Sequence, residues 1–195
     1  MTEKQGARLQ NTIKSIKATL AAEKKRFGGY DDSRGLRYLP PQYYLQLGDY
    51  KGGATYFKWF EQNFPDDGGW PDFLFEWTVV LFKIGKTKEA EKKAFATYCS
   101  NTYVFDKFFG HPMVPIKKYE GSNIQQPDYT RYFTYTAAQP QLADFADWLR
   151  AFLASERFIT ARDAWLRIAI QLKTEPVGPT RTALVVESRQ IEEGF

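Results

Sequence analysis

Cysteine and histidine are nearly absent from this chain of 195 residues, which contains only Cys99 and His111. A single cysteine cannot form an intrachain disulfide or a thiolate metal cluster. With one histidine, a transition-metal site would depend on carboxylates, and no acidic run has the spacing of a metal-binding loop. We therefore expect no metal, no cofactor and no catalytic residue.

Long hydrophobic runs are also missing. The longest candidate, from Phe73 to Ile84, is interrupted by Glu76 and Lys83, and it falls short of the roughly 20 residues that a membrane helix requires. The first residues, Met-Thr-Glu-Lys-Gln, do not resemble a secretory signal. These absences predict a chain with no membrane span and a cytoplasmic location.

Aromatic residues, by contrast, are abundant and make up 17% of the chain. Such side chains bury large areas, either in a core between helices or at a contact surface. Hydrophobic residues at 43% and charged residues at 26% give the balance of a folded globular protein.

Positive charge is concentrated at the start of the chain. The formal net charge is +4, but residues 1–26 alone carry seven Lys or Arg against two Glu. These cations are Lys4, Arg8, Lys14, Lys17, Lys24, Lys25 and Arg26. The rest of the chain is therefore close to neutral.

The same region has the hydrophobic spacing of an amphipathic helix. Leu9, Ile13, Ile16 and Leu20 fall on one helical face, and Gly28 follows as a helix stop. We predict a basic amphipathic helix over residues 1–27. Its apolar stripe would dock on the body with its basic face in solvent, or the basic face would bind nucleic acid or another anionic surface.

Residues 37–102 contain two similar segments, opened by Pro40–Pro41 and by Pro71. The turn glycines Gly48 and Gly85 are 37 residues apart. The same offset pairs Gly53 with Ala90, Phe57 with Ala94, Leu47 with Ile84, and Tyr44 with Leu81. A fixed period of this size is typical of a helical-repeat array.

These segments resemble the tetratricopeptide repeat (TPR). The first matches the family pattern at Gly48, Tyr50, Gly53, Phe57 and Pro65. The second matches at Gly85 and Ala90 but has Thr87 and Thr102 in place of the aromatic residue and the proline. The resemblance implies an all-α fold, a TPR-like right-handed stack of antiparallel helical hairpins (α-α superhelix), with small residues where helices approach closely.

The remaining chain predicts an irregular, aromatic-rich insertion over 103–138 and a C-terminal hairpin with a capping helix over 139–195. We expect a single helical domain over 1–195. In the insertion, residues 129–135 could pack against the hairpins or form a peptide-contact surface. With nearby Lys and Arg, they could instead form a basic, aromatic patch that stacks on nucleobases.

The resemblance also implies a function. TPR-like repeats hold a peptide or partner domain in the groove lined by the first helix of each hairpin, which predicts a non-catalytic protein–protein interaction or scaffold module. The groove residues would be Tyr38, Gln42, Leu45, Asp72, Phe75, Glu76, Val79 and Phe82. Their aromatic, mixed-charge character favours an apolar or amphipathic partner segment. Self-association as a homo-dimer is a further expectation.

Two other functions stay open at this point. The basic residues 4–26 could bind nucleic acid, and an enzyme would need a pocket that joins His111, residues 129–135 and a carboxylate. Carboxylate pairs occur at Asp31/Asp32, Asp66/Asp67 and Glu192/Glu193. All lie in predicted turns or at a terminus, where acidic residues commonly serve capping and solubility.

Overall fold

A computed structural model describes residues 2–30 and 32–195; Met1 and Asp31, one member of a carboxylate pair, lie outside the described residues. Of the described chain, 72% is helical and none is strand, which confirms the all-α class. No helix within these ranges combines the length and apolar character needed to cross a bilayer.

The chain divides into two compact units, Met1–Lys86 and Thr87–Phe195. Unit 1 contains α1 (Glu3–Phe27), a short 3-10 helix (Leu36–Tyr38), α2 (Pro40–Leu47), α3 (Tyr50–Asn63) and α4 (Pro71–Lys83). Unit 2 contains α5 (Thr87–Ser100), α6 (Val104–Phe109), α7 (Ala143–Leu153), α8 (Glu156–Leu172) and α9 (Pro179–Gly194). The unit boundary falls at the turn of the second predicted hairpin, whose helices are α4 and α5.

Helix α1 confirms the amphipathic helix predicted at the start of the chain. A reciprocal capping box between Thr2 and Gln5 begins it, and Gly28 ends it in the left-handed conformation, with φ of 74°. Ile13, Ile16 and Leu20 are buried, and the helix packs against α2 and the 3-10 helix. Burial of this apolar stripe attaches α1 to unit 1.

Helices α2 and α3 form the first predicted hairpin. Proline opens α2, where its missing N–H costs least. Gly48 ends the helix with φ of 67°, a conformation that other residues rarely adopt. Asp49 then caps α3, because its side chain accepts a hydrogen bond of 2.9 Å from the Gly52 N–H.

Aromatic rings fill the interior of unit 1 between α3 and α4. Phe57 stacks on Trp77 with ring centroids 4.5 Å apart, and the rings of Phe60 and Phe73 lie 4.6 Å apart. Gly53 permits this approach: a Cβ at that position would lie 3.1 Å from a methyl carbon of Val80. The small residue is thus required by the close packing of α3 on α4.

Unit 2 has its own aromatic core. Phe152 packs edge-on against Phe158 at 5.2 Å, which joins α7 to α8. Helix α9 lies on α8 through a smaller apolar cluster of Ile168, Leu172 and Leu184. The C-terminal helices are those that the sequence predicted for residues 139–195.

The segment 103–138 is irregular, as predicted, but it is anchored. After α6 it forms only short 3-10 helices, at Asn123–Gln125 and Pro127–Tyr132. The Asn101 amide donates hydrogen bonds to the carbonyls of Ile124 (2.6 Å) and Gln126 (3.1 Å). Backbone groups of the segment also pair with other elements, since the Tyr119 N–H donates to the Ala169 carbonyl at 2.7 Å. Side-chain and long-range backbone hydrogen bonds therefore replace the pairing of a regular element.

We expect Gly53→Val to destabilise unit 1 by roughly 1–3 kcal/mol, because the added side chain would overpack the contact with Val80. Thr55→Val, on the exposed side of the same helix, should change stability by less than about 0.5 kcal/mol. Urea unfolding monitored by circular dichroism measures both effects. Equal unfolding midpoints for the two variants would contradict a close approach at Gly53.

Candidate interaction surfaces

The eight predicted groove residues all belong to unit 1, and they fall into two classes. Leu45, Phe75, Glu76 and Val79 are buried, whereas Tyr38, Gln42, Asp72 and Phe82 are partly exposed. A ligand at the surface of this conformation can touch the second class but not the first. Their role in binding a partner stays a prediction.

Tyr38 belongs to a cluster of polar side chains at the end of unit 1 where the chain turns from α3 to α4. Its hydroxyl donates a hydrogen bond to the Asp67 carboxylate, 2.7 and 2.6 Å from the two oxygens. Arg37 Nε donates to Asp67 Oδ2 at 2.8 Å. One carboxylate therefore binds two neighbouring residues of the 3-10 helix.

Asp32 also binds the 3-10 helix, Leu36–Tyr38. Its carboxylate accepts hydrogen bonds from the backbone N–H groups of Leu36 and Arg37, each 2.7 Å long, and lies 3.2 Å from Arg37 Nη1. The Tyr56 hydroxyl donates to the Arg37 carbonyl at 2.7 Å. The backbone and side chain of Arg37 are thus both fixed.

The protonation states within this cluster support its hydrogen bonds. Burial raises the pKa of Tyr38, and the adjacent Asp67 carboxylate raises it further, to about 12. Burial alone would raise the pKa of Asp67, but hydrogen bonds from Tyr38 and the Gly69 N–H, together with Arg37, lower it overall. At neutral pH a protonated phenol therefore donates to an ionised carboxylate.

Trp70 covers the outer side of Tyr38. The two ring centroids lie 5.4 Å apart at an interplanar angle of 32°, and Trp70 remains 47% exposed. We refer to Arg37, Tyr38, Asp67 and Trp70 as the Trp70 patch. It combines a half-exposed aromatic surface with a charged pair, Arg37 and Asp67, that is neutralised internally.

Of these four residues, the sequence patterns indicate a binding role only for Tyr38. They place Asp67 in a predicted turn and assign no role to Trp70. Arg37 and Asp67 are separated by 30 positions, so no local spacing connects them. The available signal was Trp70 itself, a large aromatic residue between a Gly-rich turn and the proline that opens α4.

The aromatic segment 129–135 of unit 2 is mostly internal. Tyr129 and Phe133 are buried, whereas Tyr132 is 60% exposed beneath the Arg131 guanidinium, 4.7 Å from its ring centroid. Lys118 is buried, with its ammonium 3.1 Å from Glu120. Of the predicted basic, aromatic patch, the surface therefore presents Lys117, Arg131 and Tyr132.

His111 lies on the surface of unit 2, with its side chain 63% exposed. Its ring stacks on Phe109 at 5.6 Å, and Nδ1 is 3.8 Å from the Asp106 carboxylate. Within residues 2–30 and 32–195, no three His, Cys, Asp or Glu side chains are placed to hold one metal ion. The position of His111 fits a solvated turn residue.

Unit 2 also contains a cavity of about 530 Å³ between α8 and the end of α9. Arg157 at its edge lies 4.2 Å from the ring centroid of Phe195, donates to the Phe195 carbonyl, and is 2.8 Å from Glu91. The Phe195 ring stacks on Phe95 at 4.4 Å. These contacts fasten the end of α9 to α5 and α8, a structural role that accounts for the polar groups at the cavity.

We expect Asp67→Asn to lower the free energy of unfolding by roughly 1–3 kcal/mol at neutral pH, because it removes the charged acceptor of Tyr38 and Arg37. The folded-state pKa of Asp67 lies below the unfolded value of about 4. Its stabilising effect is therefore present above that value and lost as the pH falls through the folded pKa.

Thermal unfolding from pH 7 down to about pH 3 measures this difference. The difference in unfolding temperature between the wild-type chain and Asp67→Asn should become smaller as the pH falls. Asp66→Asn, next to it on an exposed position, is the matched control and should show no such pH-dependent gap. A gap that stays constant over this range would contradict the role of the ionised carboxylate.

A scan against protein-family models, a search of the curated proteins and a search of the solved structures each found no match to this chain. What the chain does must therefore be inferred from the geometry of its own residues.

Proposed function

We propose that this chain is a non-catalytic protein-interaction module that binds a peptide or partner domain through the Trp70 patch of unit 1. The observation that carries the proposal is the ring of Trp70, half-exposed yet held against Tyr38. A large aromatic surface that remains open to solvent while its support is fixed is well suited to bury an apolar side chain of a partner.

The composition of the patch supports this function. Trp, Tyr and Arg are the residues most enriched among those that dominate the binding energy of protein interfaces. The hydrogen bonds of Asp67 to Tyr38 and Arg37 hold both side chains in place before binding. Less conformational entropy is then lost when a partner binds.

The TPR-like arrangement is part of the same proposal. Within unit 1, the turn at Gly48, the capped start of α3 and the close approach at Gly53 support it. In such repeats the first helix of each hairpin lines the binding groove. Here those helices would be α2 and α4, which pack against each other and carry the partly exposed Gln42 and Asp72.

The chemistry of the patch restricts the partner. Arg37 is engaged by Asp67 and Asp32, so its charge is already neutralised and does not favour a carboxylate ligand. The most exposed side chain of the patch is Trp70, at 47%. We therefore propose an apolar or amphipathic partner segment that presents one large apolar side chain to Trp70.

We expect Trp70→Ala to weaken partner binding by about 30-fold or more, the effect of removing a dominant interface residue worth about 2 kcal/mol. Tyr132→Ala is the matched control, because it also truncates an aromatic residue that is more than half exposed. Partners are first identified by affinity purification with the wild-type chain. Calorimetry with the purified partner then gives the dissociation constant of each variant.

Both variants should keep the circular dichroism spectrum of the wild-type chain. Phe75, a predicted groove residue, is not suited to this test. Its side chain is fully buried, so a charge introduced by Phe75→Glu would unfold the protein. Equal affinities for Trp70→Ala and the wild-type chain would contradict the proposed surface. A partner lost only with Tyr132→Ala would place the binding site in unit 2.

A further inference from the structure

Helix α1 exposes most of its circumference, because only a narrow stripe docks on unit 1. Ile13, Ile16 and Leu20 are its buried residues, and all seven of its Lys and Arg residues are exposed. Among the described residues, Lys4, Arg8, Lys14, Lys17 and Lys25 form no hydrogen bond or ion pair through their side chains. Their charges are therefore not neutralised by neighbouring acids.

The outward face carries cations at its centre as well as at its sides. At about 100° per residue, Ala18 lies on the midline of this face, opposite the buried stripe, and Lys4, Lys14 and Lys25 lie within about 40° of Ala18. Arg8 lies farther round on one side. Positive charge is thus spread over the whole face and along the length of the helix.

One acidic residue lies on this face. Glu3 is exposed in the first turn of the helix, where a negative charge favours the helix dipole. Glu23 is partly buried, and its carboxylate lies 3.6 Å from Arg34. Beyond the first turn, a ligand that approaches the midline therefore meets a field of one sign.

Duplex DNA can accept such a face. The major groove, about 12 Å wide, admits an α-helix, and the phosphates of the two strands border it on both sides. Cations at the centre and on the sides of the face can therefore reach phosphates of both strands.

We infer that the outward face of α1 binds the phosphate backbones of duplex DNA. This inference is independent of the Trp70 patch. An anionic membrane fits less well, because the apolar stripe that would insert is buried in unit 1. A single strand fits less well because the helix has no aromatic residue before Phe27 on which bases could stack.

The test compares two triple variants with the same net charge. Arg8→Gln, Lys14→Gln and Lys25→Gln remove three cations of α1, whereas Lys51→Gln, Lys88→Gln and Lys173→Gln remove three exposed cations elsewhere. Each triple lowers the formal net charge from +4 to +1. The probe is a fluorescent DNA duplex of about two helical turns, and fluorescence anisotropy reports binding between about 50 and 200 mM salt.

The α1 triple should weaken binding about tenfold or more at low salt, and the slope of log affinity against log salt should become less negative by about 2 to 3. The control triple should stay within about twofold of the wild-type chain because it removes no phosphate contact. Ala18→Glu, which places a negative charge on the midline, should weaken binding comparably. All substituted side chains are exposed, so each variant should keep the circular dichroism spectrum of the wild-type chain.

Several results would overturn the inference. Equal weakening by the two triples would show that net charge alone drives binding. Tighter binding of the wild-type chain to single-stranded DNA, to duplex RNA or to phosphatidylserine vesicles than to duplex DNA would assign the face to another ligand. If the wild-type chain does not bind duplex DNA at low salt, the inference is wrong.

Discussion

Close packing of aromatic rings between helices is the constraint on which each unit depends. In unit 1 the stacked rings of Phe57 and Trp77 set the separation of α3 and α4, and Gly53 has to be small for the backbones to come that close. In unit 2 the contact of Phe152 with Phe158 plays the same part between α7 and α8. Rings of this size bury large areas with few rotatable bonds, so they define helix positions at a low entropic cost.

The Trp70 patch depends on the same packing for its position. Tyr38 contacts the buried ring of Phe73 edge-on at 5.2 Å, so the interior of unit 1 fixes one side of Tyr38 and Trp70 covers another. Without a hydrogen-bond partner, the Tyr38 hydroxyl would carry a desolvation penalty in this location. Asp67 supplies that partner, and Arg37 in turn balances the charge of Asp67. The half-exposed aromatic surface is therefore supported by a core on one side and by a satisfied polar network on the other.

Much of the helical architecture could be predicted because it is encoded locally. The spacing of Ile13, Ile16 and Leu20 specifies the buried side of α1, and Gly48 specifies the turn between α2 and α3. The segment 103–138 shows the opposite case. It is held by long-range hydrogen bonds, among them those of the Asn101 amide to carbonyls more than 20 positions away. Hydrophobic periodicity does not predict such contacts.

The candidate site was less predictable for the same physical reason. The resemblance to tetratricopeptide repeats placed Phe75 and Val79 in an open groove, yet both are fully buried. A helical pattern identifies which residues share a face but not how deeply the surrounding chain covers that face. The exposure of Trp70 and the pairing of Arg37 with Asp67 both depend on where distant segments of the chain meet. Sequence patterns therefore do not predict them.

The charge distribution of α1 has an energetic consequence that bears on its function. Lys4 and Arg8 are separated by four residues, and Lys14 and Lys17 by three; like charges at these spacings destabilise a helix by about 0.2–0.5 kcal/mol per pair. Several arginines elsewhere in the chain are paired with acids, as Arg37 is with Asp67 and Arg157 with Glu91. Helix α1 tolerates the repulsion because its apolar stripe is anchored in unit 1. Bound phosphates would relieve that repulsion, so the same unneutralised cations that weaken the free helix would favour its complex with a polyanion.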